Sequence, residues 1–149
     1  MEGNILKLQN PCNITVVGST SSGKTTFVYK LLRECNDMFV EPIENILYCH
    51  GCYQPLYDEI QHNVPNVDFY EGLPSEDDIL EFGTKEGHKL LILDDLMSKV
   101  CSSPVIVDLF CQFSHHKNIS VIFITQNIFH GGKSTRSINL KIGRASCRE

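Results

Sequence analysis

A phosphate-binding pattern lies near the start of the chain, where Gly18 to Thr25 reads Gly-Ser-Thr-Ser-Ser-Gly-Lys-Thr. Glycines spaced in this way let successive backbone N–H groups approach phosphate oxygens. The pattern predicts that Lys24 neutralises the β- and γ-phosphates, as a catalytic residue, and that Thr25 offers its hydroxyl to Mg²⁺. The alternative is a Gly/Ser-rich turn with a chance lysine. The residues expected to bind the nucleotide are Gly18, Ser19, Thr20, Ser21, Ser22, Gly23, Lys24, Thr25 and Thr26.

Two adjacent carboxylates, Asp94 and Asp95, follow the apolar run Leu90–Leu93. Neighbouring residues of a strand point in opposite directions, so the two carboxylates cannot serve the same purpose. We expect Asp94 to belong to the Mg²⁺ site and Asp95 to orient or deprotonate the attacking water. Aspartate is one methylene shorter than the glutamate usual at that second position. Asp95 could instead only cap the following helix.

Two further polar residues are candidates for the catalytic site. Gln126 follows the apolar run Ile119–Thr125, so in a parallel sheet it would emerge near the phosphates and sense the γ-phosphate or position water. The alternative is an amide that satisfies loop backbone. Arg136, in a glycine-rich segment, is the candidate for an arginine that acts across a subunit interface, although a solvated surface arginine fits equally well. Arg33 lies too far along the first helix to face the phosphates.

The elements that must position these residues follow from hydrophobic periodicity. Apolar or β-branched runs predict strands at 13–17, 45–48, 67–70, 90–93 and 119–125. Helical spacing predicts helices at 24–35, 53–62, 75–82 and 104–114, the third opened by a capping box from Ser75 to Asp78. Strands that are apolar on both faces and alternate with helices predict an α/β fold, with a mostly parallel sheet covered by helices on both faces.

Composition limits the classes of protein that this chain can be. With 149 residues, 42% of them hydrophobic, it can bury one core, and its net charge of −5 disfavours a general polyanion-binding surface. The start of the sequence resembles no signal peptide and no apolar run could span a membrane, which predicts an intracellular protein, nuclear or cytoplasmic. Residues 142–149, IGRASCRE, resemble the translation of a sequencing adapter. We therefore expect one domain at 1–141 that is truncated at its C-terminus.

Sequence motifs narrow the kind of nucleotide enzyme. No Asn-Lys-x-Asp guanine signature occurs, and Asp94 is not followed by the spacing typical of GTPases. Small-molecule kinases normally use several lid arginines, whereas this chain has one plausible arginine, so a kinase is disfavoured unless the truncated part holds a lid. An ATPase with an additional strand between the phosphate-loop strand and the Asp94 strand remains.

Four segments, VVGSTSSGKTTF, YQPLYDEI, LLILDDLM and SHHKNISVIFITQNIFHGGKSTRSINL, resemble the DNA-packaging ATPases of the FtsK/HerA superfamily found in Maverick/Polinton elements, adintoviruses and poxviruses. The resemblance implies a RecA-like P-loop NTPase core that lacks its final strand or strands. It also implies a homo-oligomeric ring that uses ATP and Mg²⁺ to move double-stranded DNA into a capsid, with capsid proteins as further partners. By the same resemblance, Lys24, Thr25, Asp94 and Gln126 occupy the nucleotide-site positions.

Two other functions stay open at the sequence level. An ATP-binding switch or scaffold would have negligible turnover if Asp95 were a poor base. An inactive relic of a transposable element would have no folded activity. The leading expectation is the Mg²⁺-dependent ATPase.

Overall fold

The five strands that the structure describes form one parallel sheet. The computed structural model describes residues 6–108, 112 and 114–127. The strands are β1 Asn13–Val17, β2 Ile43–His50, β3 Val67–Glu71, β4 His88–Asp94 and β5 Ile119–Thr125. The helices are α1 Lys24–Arg33, α2 Cys35–Met38, α3 Leu56–Asn63, α4 Glu76–Thr84, α5 Met97–Cys101, α6 Pro104–Asp108 and α7 Ser114–His116. The predicted α/β class is confirmed.

The central strands are buried on both faces, as their continuous apolar runs predict. On β4, Leu90 and Ile92 join one hydrophobic cluster, whereas Leu91 and Leu93 join the other. The first cluster takes its helical residues from α1, α2 and α3, and the second from α4, α5 and α6. Each leucine buried in this way stabilises the fold by about 1.5–3 kcal/mol relative to an exposed one. The layers of helices therefore hold the sheet, and the strand ends, in a fixed position.

The strand order places three strand ends side by side. The sheet runs β1-β5-β4-β2-β3, so β5 lies between the phosphate-loop strand β1 and the carboxylate strand β4. Val17 pairs with Thr125, and Ile124 pairs with Asp94. The expected additional strand between β1 and β4 is therefore confirmed, and the loops that follow all three strands meet at one edge of the sheet.

Some element boundaries differ from the sequence prediction. The predicted helix 24–35 is two helices, because Glu34 leaves the helical region at φ −105° and ψ 19°. The predicted helix at 53–62 begins only at Leu56, since Pro55 is its N-cap rather than part of its first turn. In the segment 104–114, α6 ends at Asp108, and most of the residues that follow it are outside the described ones.

The predicted capping box at the start of α4 is present. The Ser75 hydroxyl accepts from the Asp78 N–H at 3.1 Å, and the Asp78 carboxylate accepts from the Ser75 N–H at 3.1 Å. The Ser75 hydroxyl also donates to the Asp78 carboxylate at 2.7 Å. This bond, followed by the one from the Ser75 N–H, holds the pKa of Asp78 below its usual range. The start of this helix is thus fixed by its own sequence.

We expect Ser75→Ala to lower the free energy of unfolding by about 1 kcal/mol, because alanine leaves a helix N–H without its side-chain acceptor. Urea denaturation of the purified protein measures this loss. Ser75→Thr keeps a hydroxyl and is expected to stay closer to the original midpoint. An alanine variant as stable as the parent would contradict the proposed contribution of the cap.

Candidate nucleotide-binding site

The loop between β1 and α1 is shaped by two glycines. A Cβ on Gly18 would lie 2.4 Å from the Ser22 hydroxyl oxygen, so no larger residue fits without movement of that side chain. Gly23, the N-cap of α1, has φ +87°, a conformation that glycine adopts without strain. Ser21 also has a positive φ, 62°. This backbone turns the loop back over the N-terminus of α1, where free N–H groups and the helix dipole favour a bound phosphate.

Lys24 reaches back over the same loop. Its Nζ donates to the carbonyl oxygens of Gly18 at 2.7 Å and Ser19 at 2.8 Å. The side chain is half-buried, so its ammonium group lies at the surface of the loop rather than in bulk solvent. A cation held here lies within reach of any anion that binds in the loop.

Asp94 ends β4 and is 4% exposed. Its Oδ2 accepts from the hydroxyls of Thr25 at 3.3 Å, Tyr48 at 2.7 Å and Tyr57 at 2.8 Å. The pKa of each tyrosine is raised, first by burial and then by the Asp94 charge. Both tyrosines are therefore neutral donors at any physiological pH.

The donor set around Asp94 fits Mg²⁺. Among the residues the structure describes, Asp94 forms no ion pair, so only hydroxyl groups compensate its negative charge. The carboxylate lies beside the Thr25 hydroxyl, and both are hard oxygen ligands of the kind this ion prefers. In the described part of the chain no group of three or more His, Cys, Asp or Glu side chains could hold a metal. Mg²⁺ needs no such cluster, because it keeps several waters and uses one or two carboxylates plus substrate phosphates.

Asp95 faces the same cleft as an exposed residue. Its backbone has φ +57°, and its N–H donates to the Ile124 carbonyl at 2.9 Å, which fixes it beside β5. The N-cap of the following helix α5 is Leu96, and no side chain caps that helix. The alternative in which Asp95 only caps a helix is therefore wrong, since its carboxylate makes no such bond.

A cleft of about 540 Å³ joins these groups. Of the residues expected to bind nucleotide, Thr20 to Thr26 line it, whereas the carbonyls of Gly18 and Ser19 bind Lys24. The full lining is Thr20, Ser21, Ser22, Gly23, Lys24, Thr25, Thr26, Gln54, Leu56, Asp94, Asp95, Ile124, Thr125 and Gln126. The loop, the carboxylate pair and the end of β5 thus share one cavity.

At the end of β5, the side chain of Gln126 is exposed and that of Thr125 is buried. Gln126 is exposed and lines the cleft, as expected. Thr125 is 2% exposed, and its hydroxyl donates to the Asn127 carbonyl at 3.2 Å and accepts from the Asn127 N–H at 3.3 Å. Thr125 therefore shapes the turn that follows β5 and leaves Gln126 directed to the cleft.

Besides Ile124, four residues of the site were not expected from the sequence. Gln54, just before α3, and Leu56, its first residue, line the wall of the cleft, and the hydroxyls of Tyr48 and Tyr57 bind Asp94. Three of the four belong to the segment YQPLYDEI, which carries part of the resemblance but no recognisable chemical motif.

Of the two arginine candidates, Arg33 lies within the described residues and Arg136 does not. Arg136 lies outside the described residues, so its predicted role stays a prediction. The guanidinium of Arg33 lies 5.8 Å from the centre of the Tyr29 ring, on the outer part of α1, and does not line the cleft. Arg33 is therefore not part of the phosphate site, as its position in the helix predicts.

Sequence comparison matches nearly the whole chain to one family. The family model described as "Poxvirus A32 protein" matches residues 4–143. A search of curated proteins found no match. No helix within the described residues is long and apolar enough to cross a membrane.

Solved structures with similar folds include a genome packaging NTPase and the ATPases of EssC. The genome packaging NTPase B204 from Sulfolobus turreted icosahedral virus 2, in complex with ATP-gammaS, has a TM-score of 0.54 at 16% identity, over 86% of this chain and 72% of B204. EssC (ATPases 2 and 3) from Geobacillus thermodenitrificans has a TM-score of 0.59 at 15% identity, over 86% of this chain. The cytoplasmic domain of EssC has a TM-score of 0.60 at 20% identity, over 88% of this chain. This chain spans 30% of either EssC chain. These likenesses confirm the P-loop ATPase fold.

Proposed function

Because the chain belongs to the family described as Poxvirus A32 protein, we propose that it is a Mg²⁺-dependent ATPase of a motor that packages double-stranded DNA into a viral or transposon capsid. The similarity in fold to a viral genome packaging NTPase supports this proposal. So does the resemblance of four sequence segments to the FtsK/HerA packaging ATPases. In this role the protein acts inside the cell, in the nucleus or cytoplasm, with DNA and capsid proteins as partners.

One observation carries the ATPase part of the proposal. The phosphate loop, Asp94 with Thr25, and the exposed pair Asp95 and Gln126 all line a single cleft at one edge of the sheet. A Gly/Ser-rich turn that contains a lysine by chance would not be expected to lie opposite a buried carboxylate from another strand. The arrangement supplies what phosphoryl transfer to water needs, which is anion binding, a metal site and a polar group for the nucleophile.

Five residues of the cleft take part in hydrolysis in this proposal. Lys24 leaves the carbonyls of its loop and binds the β- and γ-phosphate oxygens of ATP, which are stronger acceptors because they are charged. Thr25 and Asp94 would hold Mg²⁺, and the bound ion would neutralise negative charge on the phosphates of ATP. Asp95 orients the attacking water and accepts its proton as the water oxygen bonds to the γ-phosphorus. The bond from the γ-phosphorus to the bridging oxygen breaks, which releases ADP and inorganic phosphate. Gln126 positions the same water from β5.

We propose that Arg136 completes the site of a neighbouring subunit in a homo-oligomeric ring. Charge on the γ-phosphoryl group in the transition state is usually stabilised by an arginine, in cis or from another subunit. Arg33, the other candidate, does not line the cleft. A requirement for a partner's arginine would make turnover depend on assembly.

Turnover with and without DNA tests the proposal. We expect the purified protein to release phosphate from ATP in the presence of Mg²⁺. Linear double-stranded DNA should raise this rate severalfold, because a packaging motor couples ATP turnover to movement of DNA. Single-stranded RNA supplied at the same total phosphate concentration serves as the control for a general polyanion effect. Equal stimulation by both polymers, or by neither, would contradict the packaging role.

A non-motor ATP-binding switch is the second candidate function, and the short side chain of Asp95 favours it. Tight binding of ATP without measurable turnover, with or without DNA, would support the switch. A chain that neither binds ATP nor remains soluble would indicate an inactive relic of a transposable element.

A further inference from the structure

Two tyrosine hydroxyls converge on one oxygen of the carboxylate that ends β4. Tyr48 on β2 and Tyr57 on α3 donate to Asp94 Oδ2 at 2.7 Å and 2.8 Å. Thr25 donates to the same oxygen at 3.3 Å. All hydrogen bonds that the described residues give to the Asp94 carboxylate therefore fall on Oδ2.

The two tyrosines are held rigidly by their neighbours. Tyr48 is fully buried and Tyr57 is 3% exposed. The Tyr48 ring stacks on Phe69 at 5.0 Å between centroids, and Tyr57 packs against His50 at 4.7 Å and Phe69 at 5.5 Å. Because the rings cannot turn without disturbing this cluster, their hydroxyls stay directed at Asp94 and need little reorganisation when a ligand binds.

This geometry gives the two oxygens of Asp94 different tasks. Oδ2 is occupied by donors from three separate elements, β2, α1 and α3. Within the described residues Oδ1 accepts no hydrogen bond, so it remains available to a metal-bound water. The donors are neutral, so they bring no positive charge to Asp94 that would compete with a cation.

We propose that Tyr48 and Tyr57 are positioning residues that orient Asp94 so that Oδ1 faces the water shell of Mg²⁺. The proposal rests on the nucleotide and Mg²⁺ site proposed above and does not require hydrolysis or DNA. It extends the metal site to two residues that touch neither the metal nor the nucleotide. Because Leu56, next to Tyr57, lines the cleft, the same bond also ties the wall formed by α3 to the metal carboxylate.

Equilibrium binding of a fluorescent ATP analogue tests the proposal without measuring activity. Mg²⁺ is titrated against the purified protein with analogue present, and binding in EDTA is measured in parallel. We expect Tyr48→Phe and Tyr57→Phe each to weaken the apparent Mg²⁺ affinity about tenfold, the effect typical of losing a hydrogen bond to a metal-binding group. Binding in EDTA should stay unchanged, because the phosphate loop is intact.

Tyr70→Phe is the matched control. The Tyr70 hydroxyl donates to the Asp78 carboxylate at 3.3 Å on the exposed surface, and neither residue lines the cleft. The same substitution there removes the same kind of bond and should leave the Mg²⁺ titration unchanged. Denaturation midpoints of all three variants show whether any effect on Mg²⁺ follows from stability alone.

A double-mutant cycle separates positioning from packing. In an Asp94→Asn background the tyrosine hydroxyls have no carboxylate to orient, so the tyrosine substitutions should then leave the remaining Mg²⁺ dependence unchanged. The proposal is overturned if Mg²⁺ affinity is unchanged in both single variants, if EDTA binding falls equally, or if the parent shows no Mg²⁺-dependent gain. A parent that gains affinity with Mg²⁺ but never hydrolyses ATP contradicts only the ATPase proposal.

Discussion

Replacing Lys24 with alanine is expected to lower ATP turnover by on the order of a hundredfold to a thousandfold, the usual cost of removing a donor to developing transition-state charge. Lys24 is the residue of the phosphate loop whose charge can meet the β- and γ-phosphates, and it is already held at the loop surface by the Gly18 and Ser19 carbonyls. Alanine leaves the loop backbone in place but removes that charge. Phosphate release at saturating ATP measures the loss.

The control for this prediction lies on the same helix. Lys30 is an exposed residue in the last turn of α1 and does not line the cleft, so Lys30→Ala removes an equal charge without touching the site. We expect that variant to turn over ATP at the parental rate. If Lys24→Ala retained the rate of the parent protein, the ATPase proposal would be untenable, whatever the protein binds.

Local patterns explain why much of the fold could be predicted from the sequence. The run Asn13–Val17 forms β1 with the predicted bounds, because a β-branched strand followed by a glycine-rich loop has few other structures. The capping box at Ser75 was also predictable, since its two partners are three residues apart. The phosphate loop and the carboxylate pair were recognisable for the same reason, as their chemistry is encoded in contiguous residues.

Contacts between distant segments could not be predicted in this way. The bond from Tyr48 to Asp94 joins residues on two strands, and it exists because Tyr48 pairs with Ile92 and His50 pairs with Asp94 in the parallel register. The hydrophobic periodicity of the sequence does not specify that register. In the sequence Tyr48 is an aromatic residue in an apolar strand, and Tyr57 one in a short helix, so both indicate core packing. Only the assembled sheet shows that their hydroxyls have a carboxylate to bind.

The backbone conformation at position 95 explains why an aspartate occurs there. The sequence alone shows only that this residue departs from the usual glutamate. Its φ of +57° lies in the left-handed region, which aspartate and asparagine tolerate better than longer side chains. A glutamate here would strain the turn after β4. The shorter side chain is therefore matched to this backbone, and the backbone N–H bond to Ile124 holds it beside the end of β5.

Asp95→Asn therefore tests the role of the carboxylate alone. Asparagine keeps both the size of the side chain and the left-handed backbone, which alanine would disturb. We expect ATP turnover to fall on the order of a hundredfold or more, the range of a lost general base, while affinity for ATP with Mg²⁺ stays unchanged. Asp94→Asn should instead lose most of the Mg²⁺-dependent gain in binding. Rate and binding measured on both variants decide the assignment. If Asp95→Asn turned over ATP at the parental rate, the base would have to be another group, and Gln126 would be left as the only water-positioning residue assigned to this cleft.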